Sequence, residues 1–306
     1  MKDSKLTLGP VMFNWKPEDW RDFYFRMADE SCVDTVCIGE VVCSKREPFF
    51  TPLIPEIVER LQQSGKEVVL STLALIMSKR DMTTVRDITA MDDILIEAND
   101  VSALALLKGK PHIIGPFANI YNEGTLGFLR RNGATRITLP VELSLQSITS
   151  LAANREDTEL EVFAYGRLPL AISARCYHAR SHGLSKDSCQ YVCDKDVDGM
   201  DVDTLDGDPF LVVNGLQTLS YNCCNFIHEL PELAAAGISR FRLSPQSWDM
   251  VKVARAFRDV LDGKIEAQEA DAILDDLSDG LPSSNGYLYG REGMEFTDHL
   301  SSDVVE

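Results

Sequence analysis

The chain has 306 residues, of which 44% are hydrophobic, and its 48 acidic and 30 basic residues give a formal net charge of −18. This length and apolar content suit one large core, and the longest apolar runs are too short to cross a membrane, so no transmembrane segment is expected. Nucleic acid is an unfavourable partner because phosphate backbones are bound by clustered cations, and the sequence has no long basic run.

Eight short runs rich in β-branched residues predict strands. In chain order they are Lys5–Pro10, Asp34–Gly39, Glu67–Ser71, Ile94–Glu97, His112–Gly115, Arg136–Leu139, Glu161–Tyr165 and Ser239–Leu243. Segments with helical apolar periodicity separate or follow them, at about 18–31, 51–64, 80–91, 101–108, 123–132, 144–154, 227–236 and 247–262. Strands that alternate with helices favour parallel βαβ units.

Eight such units predict a TIM-like (β/α)8 barrel of the α/β class. We expect a single barrel domain over 1–280, with 166–226 as a long insertion after the seventh strand and 281–306 as a loosely packed C-terminal tail. Within the insertion, Phe210–Ser220 reads as an added strand or hairpin. An open doubly wound sheet is the alternative topology, although no Gly-x-Gly-x-x-Gly sequence marks a dinucleotide site.

The most informative polar pattern is formed by four of the eight cysteines, which lie in predicted loops beside basic residues. They are Cys43, Cys176, Cys189 and Cys193. The N-terminus has no signal-peptide pattern, so we expect a cytoplasmic protein, in which cysteine patterns indicate metal binding or catalysis more often than disulfides. The other four cysteines, Cys32, Cys37, Cys223 and Cys224, are interpreted as packing residues.

The cations near these cysteines favour an iron–sulfur cluster. Lys45, Arg46 and Arg175 are expected to form a cationic rim, since nearby positive charge lowers a cysteine pKa and offsets the negative charge of a 4Fe-4S cluster with four thiolate ligands. Tetrahedral zinc is the main alternative, with His178 and His182 as additional ligand candidates.

The predicted barrel places all four cysteines on one side. Cys43 follows the second strand and the other three follow the seventh, and loops at the C-terminal ends of barrel strands meet at the face where barrel active sites lie. Other polar residues near the same strand ends predict a pocket there: Glu40, Glu97, Asn99, Asn119, Asn122, Glu142, Tyr165, Arg167 and Arg242. Standard hydrolase and nucleotide-binding signatures are absent, so no catalytic residue is assigned.

Seven segments together closely resemble the collagenase-like peptidase family, and within it the branch that takes part in oxygen-independent ubiquinone biosynthesis. They are Gly39–Arg46, Val69–Leu75, Leu95–Ala98, Pro140–Ser144, Tyr165–Leu170, Ser173–Cys176 and Val213–Thr218. The resemblance spans about residues 6–250. It implies a 4Fe-4S cluster on Cys43, Cys176, Cys189 and Cys193, which is the set that loop placement also selects.

The resemblance also implies a function and partners. The chain is expected to be the iron–sulfur subunit of an oxygen-independent hydroxylase that acts on a polyprenylated aromatic ubiquinone precursor. It would work as a heterodimer with a UbiU-like paralogue and with a UbiT-like lipid carrier, and prephenate is the implied oxygen donor. Family relatives hydroxylate RNA bases, but the strong negative charge favours the quinone branch. A peptidase is disfavoured because no activated nucleophile or metal-bound water is assembled.

Overall fold

The computed structural model describes residue 1 and residues 3–298. The strands, numbered in chain order, are β1 Lys5–Leu8, β2 Thr35–Ile38, β3 Glu67–Ser71, β4 Leu95–Ala98, β5 His112–Ile114, β6 Ala134–Thr138, β7 Glu159–Ile172, β8 Met200–Asp203, β9 Pro209–Asn214, β10 Gln217–Asn225, β11 Arg240–Leu243 and β12 Ser283–Ser284. The helices are α1 Pro17–Glu30, α2 Glu47–Phe50, α3 Ile54–Gln63, α4 Lys79–Thr89, α5 Val101–Leu106, α6 Glu123–Arg131, α7 Leu145–Ala153, α8 Tyr177–Ser181, α9 Leu230–Ala235, α10 Met250–Leu261 and α11 Ala267–Leu277. None of these helices is both long and apolar enough to cross a bilayer.

Closure of the sheet defines the architecture. Strands β1 to β7 pair in sequence order and in parallel, and β11 pairs in parallel with both β7 and β1. Within the described residues these eight strands therefore form a closed barrel, and buried apolar side chains from strands and helices pack into one extensive core. The predicted TIM-like barrel is confirmed. An open doubly wound sheet is excluded, because it would leave two unpaired edges.

The eight predicted barrel strands are all present, and seven of them have bounds within two residues of those expected. The seventh strand is the exception, since β7 continues to Ile172 instead of ending near Tyr165. Its second half leaves the barrel and pairs in antiparallel fashion with β10. The extension was not predicted because its partner strand lies some 50 residues later in the sequence.

The insertion forms a small antiparallel sheet at the barrel mouth. Strands β9 and β10 form the hairpin that was expected for residues 210–220. Gly215 lies in the connecting turn with a φ of 67°. Strand β8 adds to the outer edge of β9. The sheet grows from β7, so it projects the cysteine-bearing loop from the C-terminal side of the barrel.

The C-terminal segment packs more closely than expected. Strand β12 pairs in parallel with β10 opposite Cys223 and Cys224, and Leu288 is buried. The prediction of a loosely packed tail therefore differs from the structure over 283–289. In this segment β12 pairs with β10, and the Leu288 side chain packs into the hydrophobic core. Residues 299–306 of the predicted tail lie outside the described residues.

The barrel interior is partly ionic. The Arg242 guanidinium on β11 donates to Glu97 on β4 and to Glu161 on β7, and each of the three side chains is at most 3% exposed. Burial alone would raise the pKa of Glu161, but the charges of Arg242 and Arg136 outweigh burial and hold this pKa below its usual range. Stability from such a carboxylate is present above its unfolded-state pKa and is lost as the pH falls.

We predict that Arg242→Leu lowers the free energy of unfolding by about 3–5 kcal/mol, because it removes the guanidinium that pairs with both buried carboxylates. Urea unfolding at neutral pH measures the loss. Arg26 is the matched control, since its side chain is 45% exposed while it pairs with Glu30 and Asp249. Arg26→Leu should change stability by about 1 kcal/mol or less. Equal effects of the two substitutions would contradict the assignment of Arg242 as the internal counter-ion.

Candidate metal centre

Cys43 lies in the turn that follows β2. Gly39 begins this turn with a φ of 137°, and a Cβ there would stand 2.5 Å from the carbonyl oxygen of Ser71, so the position requires glycine. The next side chain folds back, and Glu40 Oε1 accepts hydrogen bonds from the backbone N–H groups of Val42 at 2.8 Å and Cys43 at 2.9 Å. The buried carboxylate therefore fixes the backbone of Cys43.

Cys176 occupies the N-terminal end of α8, beyond the extended half of β7. Its Sγ accepts a hydrogen bond from the Ala179 N–H at 3.4 Å and lies 3.2 Å from the Gly215 carbonyl oxygen, to which the thiol can donate. These contacts hold the sulfur against the β9–β10 turn. The cysteine is buried, although its two chain neighbours Arg175 and Tyr177 are exposed.

Cys189 and Cys193 flank a tight loop. Gln190 and Tyr191 both adopt left-handed backbone conformations, with φ values of 49° and 56°, which reverses the chain between the two cysteines. Cys193 is buried and its Sγ accepts a hydrogen bond from Asn14 Nδ2 at 3.3 Å. Cys189 is only partly buried and belongs to the exposed side of the loop.

The four cysteines selected from the sequence line one cavity. The remaining lining residues are Lys45, Arg46, Lys186, Tyr191, Val192, Gly215 and Leu216. The enclosed space is about 20 Å³, which is the room for one or two water molecules. A larger group therefore requires movement of the wall, whose partly exposed members include Lys186 and Cys189.

A buried polar network supports this cavity. The Arg46 guanidinium donates to Asn214 Oδ1 at 2.6 Å and to the Met12 carbonyl oxygen at 3.1 Å. Asn214 Nδ2 in turn donates to the Cys193 carbonyl oxygen at 3.1 Å, and Asn14 N–H donates to Asn214 Oδ1 at 3.3 Å. The sequence reasoning missed both asparagines. Asn214 lies within a segment that carries the family resemblance, but only the fold shows that it meets Asn14.

The charges near the cysteines differ in two ways from the expected cationic rim. Arg46 is not at a rim, because it is 1% exposed and forms part of the cavity wall. Lys45 lines the cavity as expected and donates to the Lys186 carbonyl oxygen at 2.6 Å. Arg175 is exposed and is absent from the lining, where Lys186 is found instead. The rim prediction is therefore wrong for Arg175.

Burial has the largest effect on the pKa of two of the four thiols. It raises the pKa of Cys43 to about 11, against the opposing effect of the Arg46 charge. Burial also raises the pKa of Cys176. The expectation that nearby cations lower the cysteine pKa values is therefore not met for Cys43 and Cys176. A metal would have to displace the thiol protons, so its binding would release protons and would weaken at low pH.

The two histidines of the zinc alternative are engaged elsewhere. His178 Nε2 lies 2.9 Å from Asp196 Oδ2, and its Nδ1 lies 3.2 Å from the Val213 carbonyl oxygen. His182 stacks on His178 with ring centroids 5.5 Å apart. Neither histidine lines the cysteine cavity, so the combination of two cysteines with two histidines is not assembled.

The polar residues at the strand ends do not form one pocket. Glu97 and Arg242 pair inside the barrel, and Asn99 Nδ2 donates to Glu97 Oε1 at 3.3 Å. Asn119 and Glu142 line a separate cavity of about 210 Å³ at the mouth. The remaining members of the set lie apart from that cavity: Glu40 holds the Cys43 turn, Asn122 caps α6, Tyr165 is buried between β10 and β11, and Arg167 donates to carbonyl oxygens of β10.

Comparison with known proteins identifies the family. The model of peptidase family U32 matches residues 23–298. The chain belongs to peptidase family U32. The resemblance to collagenase-like peptidases seen in the sequence is therefore confirmed.

Two of the curated relatives that match this chain do so over a short region. They are tRNA hydroxylation protein P of Haemophilus influenzae strain Rd and of Escherichia coli K12, each 41% identical over 59 residues. The match covers 19% of this chain and only 13% of each relative. Among solved structures, N-acetylneuraminate lyase from Fusobacterium nucleatum with pyruvate has a TM-score of 0.50 at 11% identity, covering 99% of this chain and 93% of the lyase. At that identity the similarity supports the barrel fold alone.

We predict that Asn214→Leu lowers the free energy of unfolding by about 1–3 kcal/mol, because the Arg46 guanidinium loses a buried acceptor. It should also speed alkylation of Cys193, whose backbone Asn214 holds. Asn222→Leu on the neighbouring strand β10 is the control, since its side-chain amide donates to the Met294 carbonyl oxygen at an exposed site. Peptide mapping after iodoacetamide treatment and urea unfolding measure both effects. Unchanged Cys193 labelling in folded Asn214→Leu would show that the network does not shape the site.

Proposed function

We propose that Cys43, Cys176, Cys189 and Cys193 hold a 4Fe-4S cluster and that this chain is an iron–sulfur subunit of an oxygen-independent hydroxylation system. The observation that carries the proposal is the convergence of these four cysteines on one cavity, although they come from two loops separated by more than 130 residues. When bound, such a cluster supplies electron transfer.

The charge of the cavity wall fits an anionic group. Arg46 is buried, and its nearest described carboxylate, Glu40, stands 4.0 Å away. Arg46 Nε is also buried without a hydrogen-bond partner among the described residues. A buried cation is costly unless it is paired. Four cluster thiolates would provide negative charge beside this guanidinium, while Lys45 and Lys186 would offset it from the outer side.

A single zinc ion requires closely grouped ligands. Within the described part of the chain, no three cysteine, histidine, aspartate or glutamate side chains are grouped as a single metal ion requires. Thiolates around one zinc ion stand roughly 4 Å apart, because each Zn–S bond is about 2.3 Å. A 4Fe-4S cluster is larger than one zinc ion, so its binding would require the movement of the cavity wall described above. A zinc-stabilised binding module remains the alternative that metal analysis distinguishes.

The hydroxylation role is supported by the family and by its named relatives. The matched relatives are called tRNA hydroxylation proteins, while the sequence segments resemble UbiV, the family member in oxygen-independent ubiquinone biosynthesis. We propose a polyprenylated aromatic ubiquinone precursor as substrate, with prephenate as oxygen donor, a UbiU-like heterodimer partner and a UbiT-like lipid carrier. A peptidase role is disfavoured, because the cysteine cavity contains no nucleophile paired with a general base in the described residues.

The charge distribution supports the quinone branch over RNA. The net charge is −18, and the β8–β9 hairpin carries Asp201, Asp203, Asp206 and Asp208 on exposed positions. These carboxylates lie on the same inserted sheet as the cysteine cavity, where they would repel a phosphate backbone. An uncharged ring avoids that repulsion.

We predict that protein purified without air is brown and contains about four iron and four sulfide per chain. Changing any one of the four cavity cysteines to Ala should remove most of the iron, because an open coordination site makes the cluster labile. Iron and sulfide analysis of each variant is the measurement. Stoichiometric zinc without sulfide in protein never exposed to air would contradict the cluster.

The other cysteines provide matched controls. Cys37, Cys223 and Cys224 are buried and Cys32 is partly buried, all of them outside the cavity lining. Their replacement by Ser should leave the iron content unchanged and cost about 1–3 kcal/mol of stability. Loss of iron from one of these variants, while circular dichroism shows a folded chain, would mean that the ligand set is wrong.

We predict that the purified chain alone does not hydroxylate a ubiquinone precursor under anaerobic conditions and that a UbiU-like paralogue restores the reaction. The reason is that a fully ligated cluster would have no open iron for substrate, and the described residues that line the cavity include no catalytic base. Anaerobic turnover followed by mass spectrometry of the quinone precursor, with and without the paralogue, is the test. A parallel assay with tRNA should show no hydroxylated base, and tRNA hydroxylation would assign the chain to the other branch.

A further inference from the structure

A cavity on the outside of the barrel wall has room for a small molecule. It encloses about 590 Å³ between α2, α3, α4 and the outer faces of β2 and β3. Small-molecule sites usually have volumes of about 300–1,000 Å³ and mostly apolar walls. The apolar part of the lining here includes Ile38, Phe50, Ile54, Leu70, Ile88 and Met91.

The cavity has a buried apolar floor and an exposed entrance. Ile38, Phe50 and Leu70 are buried at its floor. Arg80 and Met91 line it at exposed positions, and Met91 is 44% exposed. A ligand could therefore enter from solvent and bury an apolar body against the barrel strands.

One buried carboxyl group in the lining has no cationic partner. Glu47, in α2, is 9% exposed. Its Oε2 accepts a hydrogen bond from the Thr84 hydroxyl at 3.4 Å, and within the described residues no lysine, arginine or histidine nitrogen lies within 4.0 Å of it. A buried charge is costly unless it is paired, so this carboxyl group lacks the positive charge that would stabilise it.

The groups that face Glu47 make it harder to ionise. Burial has the largest effect on its pKa, followed by the charges of Glu40 and Asp81, and together they raise this pKa to about 7. The charge of Arg80 opposes them and is the smallest of these effects. A cation placed beside Glu47 would relieve both the burial and the repulsion between carboxylates.

The lining as a whole favours positive charge. It contains the carboxyl groups of Glu40, Glu47 and Asp87 and one guanidinium group, that of Arg80. Arg46 stands 4.0 Å from Glu40 and lies outside this lining, so it offsets Glu40 and leaves Glu47 without a counter-charge. An anion would be repelled, and a neutral ligand would leave Glu47 unpaired. A cation would form a charge-assisted hydrogen bond with it.

We propose that this cavity binds an organic amine, in which a protonated amino group is attached to an aromatic or aliphatic body. The ammonium group donates to the Glu47 carboxylate, and the apolar body packs against Ile38, Phe50 and Leu70. The proposal rests on the outer cavity alone and does not depend on which group the four cysteines hold.

Calorimetric titration of the purified full chain at neutral pH tests the ligand class. Three probes share an apolar body and differ in charge: para-butylbenzylamine, para-butylbenzyl alcohol and para-butylbenzoate. Spermidine is the fourth probe, a polycation without that body. We expect the amine to bind at least about tenfold more tightly than each of the other three. Failure to reach this preference over any one of them, or no binding of the amine, would overturn the proposed class.

Removal of one carboxyl charge tests the role of Glu47. Glu47→Gln keeps the size of the side chain but cannot become negative. It should weaken binding of the amine at least about tenfold and leave binding of the alcohol within about twofold of the parent chain. Glu59→Gln on α3 is the matched control, because Glu59 is exposed, accepts from Gln63 and lies outside the cavity. It should bind the amine like the parent chain. Amine affinity retained in folded Glu47→Gln would refute the proposed contact.

A cavity-filling variant tests the location and remains informative if Glu47→Gln fails to fold. Met91→Trp, at the exposed entrance, should weaken amine binding at least about tenfold by occupying the space. Ile273→Trp on α11 is the control, because Ile273 is 38% exposed and outside the cavity. It should bind the amine like the parent chain. Unchanged amine binding in folded Met91→Trp would refute the site.

Discussion

The buried guanidinium of Arg46 connects the parts of the molecule from which the candidate centre is built. It donates to the carbonyl oxygen of Met12 in the loop after β1 and to Asn214 on the inserted sheet, and it faces the Glu40 carboxylate after β2. These segments meet only because parallel strands close a barrel and present their C-terminal ends on one side. A cation buried so fully is stabilised by nearby negative charge. This requirement links the packing of the mouth to the chemistry of its cysteines.

Local sequence patterns predicted most of the barrel. Short runs such as Glu67–Ser71 and Arg240–Leu243 are rich in strand-forming residues, and helical segments lie between successive runs. This alternation predicts parallel βαβ units, which leave few alternative topologies. The four cysteines could be selected for the same reason, since residues after β2 and after β7 must reach the same face. Family resemblance gave the same set, and the structure places all four around one cavity.

Contacts between distant segments could not be predicted from local patterns. The extension of β7 depends on pairing with β10, and the packing of β12 depends on the same strand. Asn14 and Asn214 meet across 200 residues, so neither stood out as part of the site. The pKa of Cys43 differs from the expectation because the sequence shows the neighbouring cations but not the burial, whose effect is larger. Likewise, Glu97 and Arg242 were placed at the mouth, whereas they neutralise each other inside the barrel.

Iron K-edge X-ray absorption of the anaerobically purified protein tests the central claim most directly, because it reports the atoms around the metal. If the four cysteines hold a 4Fe-4S cluster, the spectrum will show iron surrounded by sulfur, together with the short iron–iron distance of a cluster. Iron bound mainly by oxygen or nitrogen, or iron with sulfur neighbours but no second iron, would contradict the account.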